Sequence, residues 1–115
     1  MLEDPKNFLD SLQRAVEGFS KIDKETLKAF GNLNETALKP GALDRKMKTL
    51  MCIAIAIATR CEYCIAGRTA QAVQEGATRQ ELVETASVGL LMGGSLAVGP
   101  IVTLFADTMN MLVPE

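Results

Sequence analysis

Apolar residues recur at three- and four-residue steps from the start of the chain. Phe8, Leu9, Leu12, Ala15, Val16 and Phe19 predict an amphipathic helix over Pro5 to Phe19, with Pro5 in its first turn. Leu27, Phe30, Leu33 and Leu38 predict a second helix, capped by Asp23 and stopped at Pro40-Gly41. Asp44 is a plausible cap for a third, which would carry Met47, Leu50, Met51, Ala54, Ile57 and Ala58 on one side. Ile53, Ile55 and Ile57 alternate with Ala and would also suit a buried strand; the Ala content, a length of about 16 residues and the lack of a second strand-like run favour helix.

The run Cys64 to Glu75 reads as a helix closed by Gly76 in a left-handed conformation. Thr78 with Glu81 three residues on forms a capping box, starting a helix that carries Leu82, Val83, Ala86, Leu90 and Leu91. A last helix is expected from about Ser95 or Pro100 to Leu112. The fold class is therefore all-α, a compact single-domain bundle of about five to six helices over residues 1–115.

Thr85 to Ala106 carry no charge, and about 20 apolar residues suffice to span a bilayer. Gly89, Gly93, Gly94, Gly99 and Pro100 interrupt that run, Glu84 and Asp107 flank it, and no Trp or Tyr marks either end. Two short buried helices meeting near Gly94 are expected instead of a membrane span. Twelve basic against fourteen acidic residues, without a long run of either sign, leave no footprint for a phosphate backbone, so no nucleic-acid partner is expected. The acidic start Met1-Leu2-Glu3-Asp4-Pro5 lacks the basic and apolar regions of a secretory signal, which points to the cytoplasm.

In a reducing compartment, two cysteines spaced by two residues favour redox or metal chemistry over a structural staple. Cys61 and Cys64 bracket Glu62-Tyr63 at the junction of two predicted helices. Thiols so spaced at a helix start can close a disulfide with little movement, and the free N–H groups there favour a thiolate, lowering a thiol pKa from about 8.5 to roughly 3.5–7.5. A zinc site needs four ligands, and three Cys with no His do not supply them, so no metal is expected. Cys52 lies inside the apolar run and reads as a core residue. No phosphate-cradling loop is present in a strand-to-helix context, and no bound cofactor is expected.

Asp44 to Gly76, centred on Cys61-Glu62-Tyr63-Cys64-Ile65-Ala66-Gly67 and followed by Glu75-Gly76-Ala77-Thr78 and Gln80-Glu81-Leu82-Val83-Glu84, resembles the carboxymuconolactone decarboxylase and AhpD-like alkylhydroperoxidase family. The resemblance implies a helical domain assembled as a homo-trimer or homo-hexamer, whose interfaces would absorb the apolar surplus. It implies reduction of a small hydroperoxide or disulfide by the thiol pair, with electrons from a dithiol or lipoyl donor, Cys64 attacking and Cys61 resolving. In the peroxidase members a Glu three turns before the first cysteine and a His four residues after the second form a proton relay; Thr49 and Arg68 stand at those positions here. Neither is a general base near neutral pH, although Arg68, one turn from Cys64, would favour a thiolate. Glu62 and Tyr63 are candidates for proton transfer. Two further readings stand beside this one: a non-catalytic assembly or binding protein that has kept the fold, and a decarboxylating lyase, which is expected to need the His or acidic groups of the family's other branch.

Overall fold

Three of the helices begin at an aspartate. The carboxylates of Asp4, Asp23 and Asp44 accept from the backbone N–H groups of Lys6 (2.8 Å), Thr26 (3.1 Å) and Met47 (2.7 Å), each satisfying a donor that the first helical turn leaves free. The computed structural model describes residues 4–115. They form α1 (Pro5–Ser20), α2 (Lys24–Leu38), α3 (Arg45–Thr59), α4 (Glu62–Gln74) and α5 (Arg79–Gly93). After these come a 3-10 turn (Gly94–Ala97), α6 (Val98–Pro100), a π turn (Ile101–Phe105) and α7 (Ala106–Leu112). No strand occurs among the described residues, and the architecture is all-α.

The capping box at the start of α5 is present in both directions. Glu81 N–H donates to the Thr78 hydroxyl (3.1 Å) and Thr78 N–H to the Glu81 carboxylate (2.9 Å). The Thr78 backbone and then Lys46, whose ammonium lies 2.9 Å from the carboxylate, hold Glu81 below the usual carboxylate range.

Two expectations need correction. The fourth helix starts at Glu62, two residues before Cys64, because α3 ends abruptly and the chain re-enters helix at once. Arg60 adopts a left-handed conformation (φ 59), its N–H donates to Ile57 O (3.2 Å), and Cys61 N–H donates to Ala56 O (2.9 Å). This is the paired-bond ending usually built on glycine, and Arg60 holds it at some steric cost.

The core-facing side of α3 is also different. Thr49, Leu50, Ile53, Ala56 and Ile57 are buried, whereas Met47 and Met51 are 46% and 47% exposed. Periodicity predicts one apolar stripe, but α3 lies between α4 and α5 and is covered on two sides. The α3–α5 seam is close because it is lined by small residues: a Cβ on Gly89 would stand 2.9 Å from Ile57 Cγ2, and one on Gly93 would stand 2.9 Å from Ala58 Cα.

Around this seam Ile53, Ile57, Ile65, Leu82 and Phe105 form the centre of the core. By length and composition the helical stretch Arg79–Leu112 is apolar enough to cross a membrane, but it turns at Gly94 (φ 71) and is not one straight rod. The expected junction of two helical segments near Gly94 is present. Their burial is not complete, since Leu91 is 78% and Met92 76% exposed. In α2 only Leu38 is buried, and Phe30 and Leu33 lie in the open. The accessible surface of 7289 Å² exceeds the about 6,100 Å² usual for a folded monomer of 12.4 kDa.

Candidate active site

The bond from Cys61 N–H to Ala56 O and the bond from Ile65 N–H to Cys61 O (2.9 Å) seat Cys61 as the N-cap of α4. Its side chain makes no capping bond, so the N–H groups of the first turn stay available to a nearby negative charge. Cys64 follows one turn along and is exposed, while Cys61 is half-buried against the core. Both are free thiols. Cys64 opens into a cavity of about 360 Å³ lined by Leu12, Tyr63, Gly67, Arg68 and Gln71. Tyr63 is 61% exposed, and its ring stacks on Phe8 at 5.3 Å with 24° between the planes, which ties α1 to the thiol-bearing turn.

Arg68 is fixed on the cavity wall. It donates to Gln71 Oε1 (2.9 Å) and to Asn34 Oδ1 of α2 (2.7 Å). The contacts continue into a closed ring. Gln71 donates to Glu75 Oε2 (3.2 Å), Arg45 Nε donates to the same oxygen (2.6 Å), and the Arg45 guanidinium also forks onto Glu35 (3.1 and 3.2 Å). Asn34, beside Glu35, completes it with a long bond of 3.5 Å. Six side chains thus join α2, α3 and α4 behind the cavity.

The electrostatics oppose the expectation of an acidified thiol. Desolvation pushes Cys64 from an ordinary 9.0 up to about 11, with the hydrogen bond to Cys61 and the charge of a Cys61 thiolate adding to it. Arg68 pulls the other way, and Cys52 adds a last small increment upward. Near neutral pH Cys64 therefore holds about a hundredfold less thiolate than an ordinary cysteine. Alkylation of Cys64 by iodoacetamide, followed by peptide mass spectrometry, is expected to accelerate about tenfold per pH unit from 7 to 10 without levelling off. A plateau at pH 7–8 would contradict this reading of the pair.

The remaining candidates are not gathered at the cavity. Thr49 is fully buried in α3 with an unpartnered hydroxyl, and no hydrogen bond joins it to Arg68 or to a thiol. Glu62 is exposed in the first turn of α4 and makes no hydrogen bond or ion pair among the described residues. Cys52 is half-buried rather than fully in the core and does not line the cavity. Sequence reasoning missed Leu12, Asn34, Gln71 and Glu75. Arg68, Gln71 and Glu75 do form a legible polar stripe at helical spacing, but Leu12 and Asn34 arrive from distant helices.

Fold and site together define a small all-helical protein whose thiol pair opens a helix, with Cys64 facing a shallow cavity. The chain belongs to the carboxymuconolactone decarboxylase family, whose pattern matches residues 24–99 and so includes both cysteines and Arg68. An uncharacterised protein of Cupriavidus necator is 29% identical over 94 residues, covering 82% of this chain and 83% of its own. A crystal structure of a carboxymuconolactone decarboxylase family protein from Legionella pneumophila, in its apo form, superposes with a TM-score of 0.79 at 31% identity, covering 94% of this chain and 93% of that one. A family member from Thermotoga maritima, for which a part in the antioxidative response has been suggested, gives 0.77 at 28% identity over 91% and 89% of the two chains.

Proposed function

We propose that this protein is a thiol-dependent oxidoreductase that reduces hydroperoxides or small disulfides through Cys61 and Cys64. The observation that carries the reading is the exposed Cys64 sulfur facing a cavity, with the free thiol Cys61 three residues before it at the start of the same helix. The Cys64 thiolate attacks the distal peroxide oxygen: an S–O bond forms, the O–O bond breaks, and the alkoxide leaves as alcohol after taking a proton. Cys61 then attacks the Cys64 sulfenic acid, an S–S bond forms and water departs. An external dithiol or lipoyl donor returns two electrons and two protons by exchange.

With Thr49 and Arg68 in place of a relay, no general base takes the Cys64 proton, and the reaction is slow and favoured by alkali. The exposed Leu91, Met92, Phe30 and Leu33, together with the surplus surface, support self-association, for which the family resemblance implies a homo-trimer or homo-hexamer. A cytoplasmic setting keeps the thiols reduced between turnovers.

The test is oxidation of the reduced protein at pH 9 by one equivalent of an alkyl hydroperoxide, with disulfides mapped by mass spectrometry. One Cys61–Cys64 disulfide and one equivalent of alcohol are expected. If both thiols stay free through prolonged exposure, the protein is an assembly or binding member of the family that lacks the chemistry, and the raised Cys64 is the observation that favours this second reading.

A further inference from the structure

We infer that the cavity over Cys64 selects substrates that carry a carboxylate on a short apolar stem; this rests on the redox reading of the same site. The two arginines near the site are treated differently. Arg45 is neutralised by two carboxylates, Glu35 and Glu75. Arg68 is held only by amide oxygens, those of Asn34 and Gln71, and no ion pair among the described residues includes it. Its position is therefore fixed while no carboxylate touches it directly, although the ring as a whole balances two arginines with Glu35 and Glu75. Two of its five N–H groups are engaged in these bonds, which leaves donors for an anion.

The rest of the wall suits the stem. Leu12 and Tyr63 present apolar surface, and the backbone at Gly67 leaves space, since a Cβ there would meet only Leu12 Cδ2, at 4.0 Å. Arg68 lies four residues from Cys64 on the same helix, a rise of about 6 Å. A carboxylate on Arg68 thus places a peroxide or disulfide a few bonds away over the sulfur. The cavity, about 360 Å³, is at the lower end of ligand-site volumes, which favours small acids.

The test uses alkylation, which needs a thiol but no redox activity. Iodoacetate and iodoacetamide both place a carbon on sulfur and release iodide, and they differ in charge. The ratio of their rates at Cys64 is expected to be about fivefold higher in the wild type than in Arg68→Gln, and to fall towards the variant's value in 1 M salt. Any effect of Arg68 on the thiol itself is common to both reagents and cancels in the ratio. As a check that needs no variant, excess hexanoate is expected to slow iodoacetamide at Cys64 of the wild type several-fold while hexanamide leaves it unchanged. A ratio equal in wild type and Arg68→Gln, or equal protection by acid and amide, overturns the inference. Because peroxide is absent from these assays, failure to form a disulfide counts against the redox reading alone.

Discussion

Replacing Cys64 by serine is expected to lower the rate of hydroperoxide consumption by at least about 10²-fold, set against the roughly 10⁶-fold that loss of a nucleophile costs a complete hydrolase triad. The smaller figure reflects the starting point, since a thiol pushed up to about 11 without a base to relieve it leaves less catalysis to lose. Cys61→Ala should fail differently. Removing Cys61 takes away the hydrogen bond and the charge that raise Cys64, although desolvation, the largest cause, stays. Cys64 alkylation in that variant should therefore be several-fold faster at pH 8, while peroxide oxidation stops after one event at a sulfenic acid or its overoxidised products. Initial rates and intact mass for both variants provide the check. Equal multiple turnover in Cys64→Ser and wild type would remove Cys64 from the chemistry.

The second large effect concerns stability. Gly89→Val is expected to cost about 1–3 kcal/mol and lower the melting temperature by roughly 4–12 °C. The first added carbon would stand 2.9 Å from Ile57 Cγ2 and 3.0 Å from Ala54 O, and neither atom is the end of a flexible side chain that could swing aside. Either α5 lifts off α3 or Ile57, which is fully buried, is displaced. Gly18→Ala in α1 is the matched contrast. Nothing lies within 4 Å of its added carbon, so the variant should gain up to about 1 kcal/mol from helix propensity. Thermal denaturation followed by circular dichroism reads both, and an unchanged melting temperature for Gly89→Val would mean that the seam is looser than its geometry.

Local signals are legible in the sequence where local bonding decides. Asp23, Asp44 and the Thr78–Glu81 box lie at the helix starts their chemistry implies, because a cap depends on residues two or three positions away. The start of α4 falls two residues before its expected place because Cys61 occupies the cap position without a capping bond, so no local cap signal marks it. Periodicity identifies apolar faces but not what covers them. The stripe holding Phe30 and Leu33 is exposed in this chain, and α3, enclosed by two helices, buries Thr49 and Ile53 where a single stripe places Met47 and Met51. In the site, the two-residue spacing finds Cys61 and Cys64, and the family resemblance adds Tyr63 and Arg68. Asn34 lies 34 residues before Arg68 and Leu12 still further away, and only tertiary packing brings them to the cavity.

The place of Cys61 at the start of α4, one turn before Cys64, is governed by main-chain bonding, from Cys61 N–H to Ala56 O at the left-handed Arg60 turn and from Ile65 N–H to Cys61 O. These bonds run from main chain to main chain, so side-chain substitutions that keep the backbone N–H groups and the Arg60 conformation leave them in place. Drift at neighbouring positions can therefore retune how fast the pair reacts, or with what, without dispersing the pair itself.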